Sequence, residues 1–322
     1  MQQCWNSDPK QRPTIRAIVM SVNALCSWSL DKEIHPRYQG KLLLSQKVAC
    51  CPNGDMVVSV GVWLYLCDSD GKSKTKLKLP DVDADLNTIH FVCVSSLGHI
   101  CVLLDWGVFV YVFDEDGKYL HRFSTFTPQD DFTIYHNRNI IRCMTTDGDG
   151  NVLVGSCERK KITIHSCHDG EVVSTIEWVP AIGFQPRMTV NSKKQILIQF
   201  VPLAQPLFGS QLTRCRVAAI DYTGKEMFRF KPRMQQYEGD TNGTDRSPPR
   251  GIVCDDEDNI YIAMDPGIFG VYNEGHIHKY SSTGTFLQCI AKGLHNPCDL
   301  SMTRDGSLVV ANIKSILIFK LK

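Results

Sequence analysis

The sequence predicts an all-β ring of about six small radial sheets, a β-propeller, preceded by a short α-helical segment. Three observations carry this. The apolar period switches from helical to two near residue 41 and stays at two to the C-terminus. From there a four-strand grammar recurs roughly every 45–55 residues. The last copy stops after three strands, so a strand from elsewhere in the chain has to complete it.

The N-terminal element comes first. Residues 13–28, PTIRAIVMSVNALCSW, place Ile15, Ile18, Val19, Val22, Leu25 and Cys26 at helical spacing. Pro13 suits a first helical turn, where its missing N–H costs nothing. Ser7 or Asp8 before Pro9 predicts a second, very short capped turn. A helix this short is marginal in water, so its apolar stripe needs a dock.

The repeat follows. One unit is HFVCVSSLGHICVLLDWGVFVYVFDEDGKYLHRF (90–123), another IIRCMTTDGDGNVLVGSCERKKITIHSCHDGEVVSTIEW (140–178), and a third RGIVCDDEDNIYIAMDPGIFGVYNEGHIHKYSSTGTFLQCI (250–290). Each reads as strand, polar turn, strand, loop, strand, Asp-Gly or Thr-Gly turn, strand. Looser copies lie at 48–79 and 188–230, and a three-strand copy at 297–320. The expected organisation is therefore a helical segment over 1–29, a linker over 30–40 and the propeller over 41–322. The ring is expected to close by pairing 41–45 with 315–320, because Gly40-Lys41 resembles the turn ahead of Tyr119-Leu120.

Composition narrows the functional classes. Of 322 residues, 43% are hydrophobic and 21% charged, with 35 Lys and Arg against 34 Asp and Glu, a net charge of +1. There is no global basic footprint of the kind that drives nucleic-acid or anionic-membrane binding. The apolar run 57–67 is far too short to span a bilayer, and no secretory signal is visible, so a soluble, cytoplasmic chain is expected. The fourteen cysteines include no C-x-x-C, and Cys93, Cys101, Cys143, Cys254 and Cys289 sit in apolar strand-like runs, where cysteine acts as a small hydrophobe. His165 and Cys167 share a strand face beside His168, but two ligands do not complete a zinc site.

The blade grammar resembles the NHL-repeat family of six-bladed propellers, carried by GIVCDDEDNIYIAMD…HIHKYSSTGTFLQCI and PCDLSMTRDGSLVVAN…SILIFK. The opening stretch resembles the closing motif of the protein-kinase catalytic domain in its tyrosine and tyrosine-kinase-like branches, through Cys4-Trp5, Asp8-Pro9 and Arg12-Pro13-Thr14. That resemblance implies an Arg12 that ion-pairs with an A-P-E glutamate, a Trp5 packed in the C-lobe, and a kinase domain in cis if a longer protein exists. The chain itself has no Gly-rich loop, V-A-I-K lysine, H-R-D, D-F-G or A-P-E, so no phosphoryl-transfer machinery is present in it.

Three functional classes remain. The leading expectation is a non-catalytic protein-interaction module, with no catalytic residues, no metal and no cofactor. Its binding loops are 201–214, 233–250 and 265–276, with Tyr237, Arg246 and Arg250 as candidate partner anchors. The second is a metal-dependent propeller hydrolase or lyase. Asp105, Asp265 and Asn312 follow the second strands of their units and offer hard oxygen ligands, and His276, His278 and His295 a histidine set. Turn capping is the bland alternative for the oxygen set. The third is RNA binding, using Arg159-Lys160-Lys161, Lys193-Lys194, Arg229, Lys231 and Arg233, which a near-zero net charge and the lack of interleaved aromatics disfavour.

Overall fold

A computed structural model describes residues 28–38, 41–42, 47–60, 63–80, 89–104, 108–126, 142–156, 160–177, 186–200, 215–232, 249–264, 274–312 and 315–321. Its first strand is β1 (Trp28–Ile34), followed by a short hairpin of β2 (Arg37–Tyr38) and β3 (Lys41–Leu42). Five antiparallel four-stranded blades follow in chain order. Blade one is β4 (Lys47–Cys50), β5 (Met56–Val60), β6 (Trp63–Cys67) and β7 (Ser73–Leu77). Blade two is β8 (Ile89–Val94), β9 (Ile100–Leu104), β10 (Phe109–Phe113) and β11 (Tyr119–Ser124). Blade three is β12 (Arg142–Thr146), β13 (Asn151–Ser156), β14 (Lys161–Ser166) and β15 (Val172–Glu177). Blade four is β16 (Arg187–Val190), β17 (Ile196–Phe200), β18 (Arg216–Ile220) and β19 (Glu226–Phe230). Blade five is β20 (Pro249–Cys254), β21 (Ile260–Met264), β22 (Glu274–Tyr280) and β23 (Phe286–His295).

Blade six closes the circle. It contains β24 (Pro297–Met302), β25 (Leu308–Asn312) and β26 (Ile316–Leu321), with β1 as the fourth strand. The first strands of the blades, β4, β8, β12, β16, β20 and β24, each adjoin the next, and β24 returns to β4. They form the inner wall of a six-bladed propeller.

The closing strand differs from the expected one. Ile34 pairs with Ile316 and Trp28 with Leu321, whereas Leu42 turns back onto Arg37. The end of the segment expected as helical and the start of the expected linker thus supply the latch, and 43–45 lie outside the described residues. The physical reason lies at the rim, where an outermost strand buries one edge and few side chains. Strand β1 needs only Trp28 and Ile34 as anchors around an exposed Leu30-Asp31, and period-two alternation is weak in such a strand. Trp28 packs edge-on against Tyr261 at 5.6 Å, Lys32 ion-pairs with Asp70 of blade one, and Lys320 holds Asp31 at 3.2 Å. Of the helical segment expected over 1–29, Trp28 and Ser29 lie in β1 instead, and residues 1–27, with Cys4, Trp5, Asp8, Pro9, Arg12 and Pro13, lie outside the described residues.

Asp and Gly build the turns by one local rule. Asp68, Asp114, Asp147, Asp221 and Asp255 each accept hydrogen bonds through Oδ1 from the backbone N–H groups two and four residues on. The residue three positions on is left-handed, a glycine in most turns and Asp258 at φ 63° in blade five. Because the strands alternate in direction, all these tight turns fall on one face of the ring. The connections between second and third strands, and between one blade and the next, leave from the opposite face. The core lies between the blades, where apolar side chains of adjacent sheets interdigitate, as with Cys143, Val154 and Ile162 against Phe91 and Leu103.

Candidate functional site

The inner wall meets the connection face at the first residues of the inner strands. Lys47 opens β4, Arg142 opens β12 and Arg187 opens β16, while Arg250 is second in β20. Blade six offers Asp299 near the same height. Register shifts at Ile89/Phe91, Pro249/Gly251 and Pro297/Asp299 place a bulge at this rung in three blades. Bulges re-aim side chains and end regular pairing, so the mouth of the channel is irregular by construction.

Packing ties the cations together. The Arg187 guanidinium lies 4.8 Å from the Phe91 ring centroid, and the Lys47 ammonium lies 5.7 Å from the same ring. Arg187 donates through Nε to the Arg250 carbonyl at 2.9 Å. On the other side, Asp299 accepts from the Val48 N–H at 3.4 Å, and Ser301 accepts from the Cys50 N–H at 3.0 Å, stitching blade six to blade one. Arg187 is only 9% exposed.

The electrostatics are unbalanced. Burial, helped by the neighbouring Arg187, pushes the Lys47 ammonium down to about 8. Burial likewise lowers the Arg187 guanidinium, with Asp299 opposing. Burial raises the Asp299 carboxyl, and Lys47 and Arg187 pull it back. Lys47 and Arg187 thus act on one carboxylate with Arg250 adding to the positive charge beside them, and neither Lys47 nor Arg187 makes an ion pair with an acid among the described residues. Desolvated cations without paired anions are costly, which is why such arrangements concentrate at functional sites.

One rung outward, the second strands add polar groups. Ser59 pairs across from Lys47, Gln199 from Arg187 and Asn312 from Pro297. All three are buried, and Ser59 Oγ, Gln199 Oε1 and Asn312 Oδ1 have no hydrogen-bond partner among the described residues. Buried polar atoms in that state are rare enough to need a reason.

The sequence-derived candidates are dispersed. Arg250 reaches the mouth as an inner-strand residue rather than as a loop anchor, and Tyr237 and Arg246 lie outside the described residues. Of the oxygen set, Asn312 is buried at the top of β25, while Asp105 and Asp265 lie outside the described residues. Among the described residues no group of three or more His, Cys, Asp or Glu is placed to hold a metal. His165 is fully buried, with Nδ1 3.1 Å from the Gly170 carbonyl, Nε2 2.9 Å from Thr163 Oγ1, and its ring stacked on Phe123. Cys167 turns to Cys101 at 3.4 Å, so the two do not form one ligand set. His276 and His278 lie buried side by side on β22, with ring centroids 4.5 Å apart and ring planes tilted by 39°.

The basic residues considered for RNA are split. Lys193 and Lys194 sit on the tight-turn face, paired with Asp258 at 3.1 Å and Asp149 at 2.5 Å. Lys161 opens β14 on the opposite face, and Arg229 lies on an outer strand paired with Glu226. Lys47 and Arg187 escaped sequence reading because the unit boundaries began one residue after them. Aligning strand heads as KVAC, RCMT, RMTV and RGIV would have exposed the recurring cation.

Fold and site together define a six-bladed β-propeller with a basic channel mouth. No protein-family model matches the sequence, and no curated protein matches it either. Among solved structures, virginiamycin B lyase from Staphylococcus aureus is similar at 14% identity over 92% of this chain and 100% of its own, with a TM-score of 0.55. A streptogramin B lyase structure is similar at 15% identity over 92% of this chain and 98% of its own, TM-score 0.55. The β-propeller domain of Cps50 (Swd1) from Myceliophteria thermophila is similar at 10% identity over 92% of this chain and all of its own, TM-score 0.52. At these identities the likeness is one of fold alone. No helix among the described residues is long and apolar enough to cross a membrane.

Proposed function

We infer that the chain is a non-catalytic, cytoplasmic protein-interaction module that receives a partner on the connection face of the ring. The carrying observation is the asymmetry of the two faces. Tight Asp- and Gly-capped turns form one face, while the longer connections all leave from the other, around a mouth of poorly compensated charge. A rigid ring that presents variable connections on one side is the arrangement by which binding loops are positioned. Trp63, at the connection-face end of β6, is 42% exposed under the Lys76 ammonium, and tryptophan is a frequent interface anchor. Cys50, Cys51, Cys67, Cys93, Cys101, Cys143, Cys167, Cys254 and Cys289 carry no disulfide among the described residues, which supports a reducing compartment. The Cys4–Pro13 motif supports a kinase-type C-lobe ahead of the ring, which would make the propeller the recruiting arm of a signalling protein.

The test replaces Trp63 on one face, or Leu97 on the other, with a photo-crosslinking phenylalanine analogue in cells. Adducts from position 63 and none from position 97 are expected. Adducts from position 97 alone, or from neither, would reject the reading.

A further inference from the structure

We propose that the channel mouth is an anion receptor, built to take an acidic side chain, carboxylate or phosphate, from a peptide segment of a protein partner. This rests on the interaction reading above and names the chemistry of its central contact.

The argument starts from the charges. Lys47 and Arg187 come from blades one and four and both pack against the ring of Phe91 from blade two. Arg187 commits only Nε, to the Arg250 carbonyl, leaving the rest of its planar fork without a hydrogen-bond partner among the described residues. A guanidinium with two uncommitted NH2 groups and an ammonium nearby match the geometry of a carboxylate or phosphoryl group. Asp299 does not fill that role, because no ion pair joins it to either cation and its own oxygen is turned to the Val48 N–H.

The second observation is independent of charge. Ser59 Oγ, Gln199 Oε1 and Asn312 Oδ1 lie behind the mouth without partners among the described residues. The two amide oxygens are acceptors and require donors. A bare inorganic anion offers none, whereas a peptide carries both an acidic side chain and backbone N–H groups. RNA would need exposed aromatic faces for its bases, and Phe91, the aromatic at this site, is 6% exposed beneath the cations.

The experiment uses the full chain and fluorescence anisotropy. The probes are a labelled Glu/Ser peptide, its phosphoserine form, its Gln analogue and single-stranded oligouridylate. Binding of either acidic peptide but not the Gln analogue is expected, and the stronger of the two identifies the anion's source. Lys47→Gln and Arg187→Gln should each weaken binding about tenfold or more. Lys118→Gln, on an exposed turn of the opposite face, should leave it unchanged. Arg187→Gln risks the fold, but Lys47→Gln removes a poorly compensated charge, and its circular dichroism and melting curve verify the fold. Absence of acidic-peptide binding, unaltered binding by Lys47→Gln, or tighter binding of oligouridylate would each overturn the proposal. Retained position-63 adducts alongside any of these would reject the anion receptor while leaving the interaction reading intact.

Discussion

Ile34, the last residue of the closing strand, lies over the α-carbon of Gly71 in blade one so closely that a β-carbon on Gly71 would overlap Ile34 Cγ2. The same slot recurs around the ring. Leu77, Phe123, Ile176 and Phe230, each on an outer strand, sit over Gly117, Gly170, Gly224 and Gly284 in the next blade. The latch strand therefore does at the junction of blade six with blade one what the outer strands of blades one to four do at theirs. That equivalence explains why Trp28–Ile34, and not the leucines after Gly40, completes blade six.

Gly71→Ala should destabilise the fold by about 2–3 kcal/mol, combining a left-handed backbone at φ 77° with overpacking against Ile34. Gly306→Ala is the control, since φ is 79° but nothing lies within 4 Å, so only about 1 kcal/mol of backbone strain is expected. Equilibrium urea denaturation of both variants measures the difference. Equal losses would show that Ile34 yields freely and that the junction is loosely packed.

Lys47→Met should stabilise the protein at pH 7, on the order of 1–2 kcal/mol, because it removes a poorly compensated, largely desolvated charge. The pH dependence has a definite sign. With the native ammonium lowered to about 8 from 10.5, the unfolded chain binds more protons between those values. Wild-type stability therefore rises with pH through that window relative to the variant, and the gap between the two proteins narrows. Denaturation at pH 7 and again near the top of the window tests this, and a gap that widens would contradict it.

Asp258 ties blade five to blade four, accepting from the Ser192 N–H at 2.8 Å and pairing with Lys193 at 3.1 Å. Burial opposes its charge, but the Ser192 bonds and Lys193 outweigh it and hold the carboxyl below its ordinary value. A depressed carboxyl stabilises above its unfolded value and loses that contribution as acid protonates the native form. Asp258→Asn should cost about 1 kcal/mol at neutral pH. The difference from wild type should fade on acidification below the ordinary carboxylate range, as read by thermal melts across pH.

The thiols should be nearly inert in the folded protein. Burial pushes Cys50, Cys51, Cys67 and Cys143 up to about 12, leaving roughly one thiolate in ten thousand at pH 8. Ellman's reagent at that pH should leave these four unmodified in native protein and titrate all fourteen thiols in urea. Rapid native modification of these four, located by peptide mapping, would show that the blades open far more readily than their packing implies.

Most of the blade architecture was legible because its signals are local. Asp147-Gly148-Asp149-Gly150 and Asp255-Asp256-Glu257-Asp258 announce turns through bonds that reach only four residues. Val152–Val154 and Ile260–Met264 are buried on both faces and read as continuous apolar runs. Outer strands were the weak point. Strand β15 is exposed at all but one of its residues, and β1 carries Asp31, Lys32 and Glu33. Little burial leaves little pattern, so a strand of that kind is indistinguishable from a linker until its partner is known.

By itself the sequence determined the four-strand blade, its turns and the number of blades, since each follows from alternation and capping within a few residues. Only the tertiary structure decided which strand closes the ring and which charges meet at its centre. Lys47, Arg187, Arg250 and Asp299 stand far apart along the chain, and their repulsion and shared desolvation arise only when the closed circle brings the heads of the inner strands together.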